Sequence, residues 1–398
     1  MRRLLLPVLL VPCPALVAQV SFVPVGPAPL EPFQKIHLTG KYHAEGADFA
    51  DLNNDGKQDI VSGPFWYQGP DFQRRHKIYP PVAYPIFGYA DKFFAFCRDL
   101  NGDGWVDVLT VGFPGRAAHW YENPKVQNTL WKRHLVHATV DMESPSFLDL
   151  DRDGRPELIC ASFGQLGYLK PDSSDPTKVW IFHPISAKLG WSPFSHGLGL
   201  GDVNGDGRMD CLTVLGWFEQ PLSLVGDPLW KGHAFRFGSG RGGAQMFAYD
   251  VDGDGDNDVV TSIDAHGWGL SWFENVKVGG VITFREHVIM PAARTKSGVQ
   301  FSQLHALALV DMNGDGLLDI VTGKTFWAHL GFDPGATEPA VLYWFRLQRL
   351  GGVRFVPQLV DGDSGVGRQV VAGDVNGDGL PDIVVGNKKG TSVFLKSR

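Results

Sequence analysis

The sequence predicts an all-β fold, a seven-bladed β-propeller with an acidic loop in each blade, closed by an N-terminal strand that completes the last blade. Three observations carry that expectation. A nine-residue acidic motif recurs seven times along 398 residues. Each copy is followed by a short apolar strand, a Gly-rich turn and an aromatic strand, and in most units by a fourth strand, with no segment that requires a helix. The last unit stops at its third strand, and a segment near the N-terminus has the pattern of the missing one.

Taken in order, the chain opens MRRLLLPVLLVPCPALVAQV, where Arg2 and Arg3 precede an apolar run from Leu4 to Val11 and small residues stand near Ala15 and Ala18. This is the form of a secretory signal peptide over 1–18, too short to span a bilayer, with a linker over 19–32. Leu10-Val11-Pro12-Cys13 is a poor lipoprotein box because Pro stands before the Cys, so a secreted or periplasmic protein is expected. No later segment is long and apolar enough to cross a membrane. The repeat then fills 33–398, which argues for one closed array without a second domain.

The motif supplies side-chain oxygens at positions 1, 3, 5 and 9 and Gly at position 6. These oxygens are Asp51, Asn53, Asp55 and Asp59 in the first copy, and Asp99, Asn101, Asp103 and Asp107 in the second. The third has Asp149, Asp151, Asp153 and Glu157, and the fourth Asp202, Asn204, Asp206 and Asp210. Asp250, Asp252, Asp254 and Asp258 follow, then Asp311, Asn313, Asp315 and Asp319, and lastly Asp374, Asn376, Asp378 and Asp382. Hard oxygen donors on a short loop, with Gly at the sharp reversal, suit calcium. Magnesium prefers a small octahedral shell that keeps its waters. An EF-hand is excluded because the flanks are strand-like, as in Asp319-Ile320-Val321-Thr322-Gly323, and carry no helical pattern. Up to seven calcium ions are expected, and sevenfold repetition makes each a structural staple.

Aromatic third strands are legible at Phe65-Trp66-Tyr67, Trp120-Tyr121-Glu122-Asn123, Trp217-Phe218-Glu219, Trp272-Phe273-Glu274-Asn275 and Tyr343-Trp344-Phe345. Fourth strands include Trp131 to Val136 and Phe284 to Ile289. In these strands His76, His134, His233 and His287 recur at one place, so they are read as structural. The seventh unit ends at Ser392-Val393-Phe394-Leu395, and Phe33 to Leu38 is its expected fourth strand, which hides two sheet edges.

Formal net charge is -7, but 23 of the 43 acidic residues are loop ligands. With the loops loaded and the signal removed the balance becomes about +5, without the clustered basic stripe that nucleic acid requires. Cys97, Cys160 and Cys211 each sit in an apolar strand, an odd number that favours buried free thiols over disulfides. G-x-S-x-G, H-E-x-x-H and phosphate-binding Gly loops are absent.

On these motifs the chain resembles the FG-GAP or VCBS repeat proteins, whose blades bear D-x-[DN]-x-D-G-x-x-D loops as in the integrin alpha head. The resemblance covers about residues 33 to 398 and implies the fold and the calcium, while adhesion modules, lectins and lyases all use that architecture. Ser195 to Leu200 and Asp264 to Gly269 depart from the repeat and look similar to propellers of aldos-2-ulose dehydratase-type secreted proteins. In such propellers the inner strand runs toward the calcium loop, which puts its start at the opposite mouth of the central channel.

Six residues before each first Asp stand Glu45, Phe93, Glu143, His196, Ala244, His305 and Arg368, with His43, Lys92, Arg241 and Gln245 nearby. The turns between second and third strands should open on the same face and carry Tyr67, Arg116, His119, Gln165, Asp264, His266, Trp268, Lys324, Trp327, His329, Lys388 and Lys389. Acids, bases and aromatics converging on a concave mouth suit a carbohydrate or acidic sugar. The expected chemistry is β-elimination by a sugar lyase or dehydratase. His196 or His305 would act as base, Arg368 and Lys324 would stabilise the enolate, and His266 or Tyr67 would protonate the leaving oxygen, with Glu143 as a further acid. His43, Lys92, Arg116, Gln245, Asp264, Trp268, Trp327, His329 and Lys388 are expected to bind substrate. A second divalent metal on His43, His196, His266 and His305 is a further expectation. The alternative is a non-catalytic glycan- or protein-binding adhesion module.

Overall fold

The structure is a computed structural model that describes residues 33–126, 128–239, 242–293, 295 and 298–397. The signal peptide, the linker and Arg241 lie outside the described residues. Strands dominate, and among the described residues the single helical element is a short 3-10 turn at Ala328–Gly331. No helix among the described residues is long and apolar enough to cross a membrane.

Behind each acidic loop comes a β-branched run such as Asp107–Val111, Asp258–Ser262 or Asp319–Gly323, buried at every position. Runs of this kind are stable only when both faces are covered, and here the neighbouring units cover them. The strands form three four-stranded sheets, one of seven strands and one of eight. The eight-stranded sheet is two antiparallel meanders joined by parallel pairing of Leu198–Gly201 with Gln245–Tyr249. In the seven-stranded sheet two meanders share the 17-residue strand Lys132–Leu148.

Apolar cores lie between consecutive units. Val61 and Trp66 pack with Cys97, Val108 and Tyr121, Leu109 and Trp120 with Leu158 and Cys160, and Ile159 and Tyr168 with Leu198 and Cys211. The pattern continues through each neighbour to Ile60, Phe65 and Tyr67, which pack with Val375, Val384 and Val393 of the last unit. The series therefore returns to its start. Phe33–Thr39 pairs antiparallel with Gly390–Lys396, Ile36 opposite Val393, as the sequence predicts. Cys97, Cys160 and Cys211 are buried and free.

The recurrent histidines are structural. His76, His134, His233 and His287 stack on Trp66, Trp120, Trp217 and Trp272 with ring centres 4.0–4.3 Å apart. Three of them also meet a carboxylate: Glu122, Glu219 or Glu274, at 2.6–2.9 Å. Each Trp–His–Glu set ties third strand to fourth.

Candidate functional site

The two ends of the inner strands hold different chemistry. At one end the position-6 glycines of the acidic loops take the left-handed backbone, φ +81° at Gly56 and +84° at Gly316. That turn lets the first carboxylate accept the glycine N–H, at 2.8 Å for Gly56 to Asp51 and 2.8 Å for Gly316 to Asp311. One oxygen each from Asp250, Asp252 and Asp254 lies within 4.8 Å of the others. The position-9 side chains do more than the motif suggests. Each is buried, and in the first unit Asp59 accepts the N–H groups of Leu52 (2.9 Å) and Gly69 (2.8 Å), bracing the loop against the third strand. Burial pushes Asp107, Asp258 and Asp319 up to about 7, with neighbouring loop carboxylates adding to it. Lys125, Arg349 and Arg346 each reach one carboxylate of these loops, Asp103 at 3.0 Å, Asp250 at 3.7 Å and Asp315 at 3.6 Å, and leave the other ligands crowded, which a cation relieves, so the donor sets fit calcium. The third loop is different: Lys170 Nζ contacts Asp151, lies 2.7 Å from Asp153 and 3.4 Å from Glu157, and so puts an ammonium among its ligands.

At the other end, residues of the segments leading into the inner strands meet, only Glu143 standing within a strand, Lys132–Leu148. Glu45, Glu143, His196, His305 and Arg368 are all buried. Arg368 Nε donates to Glu143 Oε2 at 2.9 Å, its backbone N–H donates to the Glu45 carbonyl at 2.7 Å, and its guanidinium lies 5.5 Å and 5.8 Å from the Phe93 and Tyr89 ring centres. The same Glu143 oxygen lies 3.5 Å from His196 Nε2, without hydrogen-bond alignment. Burial alone would raise the Glu143 carboxyl, but His196 and Arg368 outweigh it and hold it well below the usual range. Glu45 accepts a hydrogen bond from the Tyr42 hydroxyl.

His196, His266 and His305 pack together with ring centres 4.7–5.6 Å apart, His266 edge to face with each of the other two. His266 is half-buried and lies under His329, 4.5 Å away and exposed. Asp333 joins the two, 3.2 Å from His266 Nδ1 and 3.1 Å from His329 Nδ1. Burial depresses the His266 and His305 imidazoles, and Arg368 adds to the effect on both. Lys388 Nζ sits 4.2 Å over the Tyr89 ring and donates to the Trp327 carbonyl at 3.0 Å; burial pulls it down to about 8. An aromatic rim completes the mouth: Phe87 is 64% exposed and meets Trp327 at 6.5 Å, while Phe194 meets Phe113 at 5.8 Å. Trp327, His329 and Leu330 all have positive φ, so three non-glycine residues hold the segment above the histidines in a strained turn.

The structure thus brings together Glu143, His196, His266, His305, Arg368, His329, Trp327 and Lys388. Other expected site residues lie elsewhere. Tyr67 is in the apolar core between first and last units, because its strand turns it inward. Lys324 is fully buried and spends its three donors on Gln303 Oε1 (2.9 Å), the Thr325 carbonyl (3.1 Å) and the Ala336 carbonyl (3.4 Å), so none is left for an enolate. His43 donates to the Val82 carbonyl at 2.6 Å and, with Lys92, lines a separate cavity of about 320 Å³ beside Tyr79 and Tyr121. The expectation that it joins His196, His266 and His305 is therefore corrected: His43 stands apart from them. Gln245 bridges backbone, donating to the Arg368 carbonyl and accepting the Leu307 N–H, both at 2.9 Å. Arg116 is exposed beside Asp91, Asp264 accepts the His266 N–H at 2.9 Å, and Trp268 lines another cavity with Phe301 and Glu338. Tyr42, Phe87, Tyr89, Gln303 and Asp333 were missed. All stand outside the repeat consensus, so no spacing marked them.

The FG-GAP-like repeat profile matches residues 99–160 and 250–322, and the FG-GAP repeat profile matches 366–394. The chain carries FG-GAP repeats. No curated protein matches this chain significantly. Among solved structures it is similar to an Agrocybe aegerita lectin that recognises non-reducing terminal N-acetylglucosamine, at 17% identity and a TM-score of 0.48, covering 88% of this chain and 85% of the lectin. Rhamnogalacturonan lyase YesW aligns at 12% identity and a TM-score of 0.45, covering 92% of this chain and 76% of the lyase. Virginiamycin B lyase from Staphylococcus aureus aligns at 11% and 0.45, covering 92% and 99%. At these scores the likenesses say nothing of ligand or activity.

Proposed function

We propose that this chain is an exported, seven-bladed, calcium-stapled propeller that binds a carbohydrate, an acidic sugar in particular, at the mouth opposite its acidic loops. The observation that carries this reading is the meeting of His266, His329, Asp333 and Lys388 beneath the exposed ring of Phe87 and the ring of Trp327. Aromatic faces stack on pyranose rings, while the cation and imidazoles engage a carboxylate or hydroxyls. His266, oriented by Asp333, is the group placed to move a proton beside a carbonyl or carboxylate, which gives a lyase or dehydratase β-elimination its base or acid. The engagement of all three Lys324 donors favours the second reading, a glycan-binding module without catalysis.

Trp327→Ala and Lys388→Ala are each expected to weaken glycan binding on the order of tenfold, about 1.4 kcal/mol, on an array that includes uronates. Unchanged binding in both variants sinks the site assignment. On the same ligands, accumulation of a conjugated unsaturated product that disappears in His266→Ala, with binding retained, decides for the eliminating enzyme. Absence of product across the panel decides for the module.

Calcium enters the same proposal loop by loop. Six loops are expected to take the ion, whereas in the third Lys170 already supplies positive charge to three carboxylates. Lys170→Met should therefore add one equivalent to the calcium stoichiometry. An unchanged count, by calorimetry or elemental analysis, removes the internal-cation role.

A further inference from the structure

We propose that the cavity beside His43 and Lys92 is a second sugar site, taking one saccharide unit that carries a carboxylate or a sulfate, and resting on the carbohydrate reading above for its ligand class.

The connection between Arg74–Lys77 and Phe94–Arg98 serves both places. Phe87 and Tyr89 go to the mouth, while Tyr79, Tyr84, Asp91 and Lys92 line the cavity of about 320 Å³. Hydrogen bonds fix its shape. The Tyr84 N–H donates to the Tyr42 carbonyl at 2.8 Å, the Ala90 N–H to the Tyr42 hydroxyl at 2.7 Å, and the Trp131 N–H to the Ile78 carbonyl at 2.8 Å. The volume is at the small end for ligand sites and suits a single sugar ring.

The walls are aromatic and the charge is positive. Tyr79 and Tyr121 stack with ring centres 4.7 Å apart beside Trp131, a surface for the C–H face of a pyranose. The Lys92 side chain is 14% exposed and pairs with Asp91 Oδ2 only at 3.7 Å, beyond hydrogen-bond length, so its N–H donors stay available to a ligand. Asp91 is the one carboxylate of the lining and is shared with Arg116 at 3.5 Å, while the exposed Arg133 adds a further cation. The Tyr79 hydroxyl is buried and has no hydrogen-bond partner among the described residues, an opening for a ring hydroxyl or an acid oxygen. His43 gives its Nδ1 hydrogen to the Val82 carbonyl, which leaves Nε2 as an acceptor.

The surplus charge acts beyond the lining. Burial, then Lys92 and Arg133, push the neighbouring His119 imidazole down to about 4. Burial also depresses the Lys92 ammonium, against the pull of Asp91, and an anion beside it would offset that. An inorganic anion would use the cations and not the rings. Cations and rings together fit an acid borne on a sugar.

Calorimetry of the full chain in calcium, with galacturonate and galactose 6-sulfate against galactose and inorganic sulfate, tests the site. At least one acid sugar is expected to bind roughly tenfold more tightly than either control, and Arg133→Gln and Lys92→Met should each weaken it by roughly tenfold or more. Equal affinity for a control, unchanged affinity in both variants, or no acid-sugar binding by the wild-type chain overturns the inference. Arg133 is exposed, so its variant decides if Lys92→Met impairs folding. Trp327→Ala and Lys388→Ala should leave the cavity's equivalent in place. Binding lost only in the cavity variants fails the mouth and keeps the cavity, and binding lost only in the mouth variants does the reverse.

Discussion

Chelation with excess EGTA is expected to lower the melting temperature by roughly 20 °C or more relative to the protein in millimolar calcium. An ion that binds only the folded loop stabilises it by about 4 kcal/mol when present at about a thousand times its dissociation constant. A kilocalorie per mole moves the melting point of a large domain by roughly 2 °C. Even a fraction of that effect, summed over loops whose carboxylates crowd one another, is a large shift. The sign follows from geometry: Asp250, Asp252 and Asp254 repel without an ion and attract through one. Melting curves that superimpose with and without chelator would remove calcium from the fold.

The second large effect belongs to Arg368 and Glu143. Arg368→Ala is expected to destabilise the protein by about 3–5 kcal/mol, because it removes the hydrogen-bonded partner of the buried Glu143 and leaves only His196, 3.5 Å away, beside it. The double change Arg368→Met, Glu143→Leu should recover most of that loss in denaturant unfolding. If the single and double variants are equally destabilised, the cost is one of packing and the ion pair is incidental. A pH series gives an independent check. His196 and Arg368 hold the folded-state carboxyl of Glu143 below its ordinary value of 4.5 against the opposing pull of burial. A carboxyl depressed on folding stabilises fully above its unfolded value and loses that contribution as pH falls below about 4.5. Acid unfolding should therefore steepen below that pH in the wild type and flatten in the double variant.

The legible part of this protein was the part that repeats. Period, strand type, the closing strand from Phe33 and the Trp–His stacks all follow from residues that recur at a fixed place, and recurrence marks what each unit needs in order to pack. The inner-strand positions were legible for a related reason: at six residues before each loop a buried strand should be apolar, and Glu143, His196, His305 and Arg368 are not. The turns were harder. Lys324 and Tyr67 occupy the same sequence place as His266 and Lys388, yet Lys324 folds back onto carbonyls and Tyr67 enters an apolar core, because a turn's length and φ values decide where its side chains go. Asp333 lies in the long turn between Asp319–Gly323 and Leu342–Gln348, and Tyr89 in the connection between Arg74–Lys77 and Phe94–Arg98, where no repeat spacing fixes a side chain, so their contribution appears only in three dimensions.

The pairing of Ile36 with Val393 also sets an order of events. During synthesis the strand from Phe33 emerges long before its partner exists, and it must stay unpaired while every intervening unit is made. The ring can lock only after Gly390–Lys396 leaves the ribosome or the translocation channel. On the proposed route of export, a still-open chain would cross before closure, and the proposed calcium would meet the loops as the circle is completed. The seam that hides two strand edges in the finished protein thereby doubles as a clock, delaying the final fold until the last strand has been made.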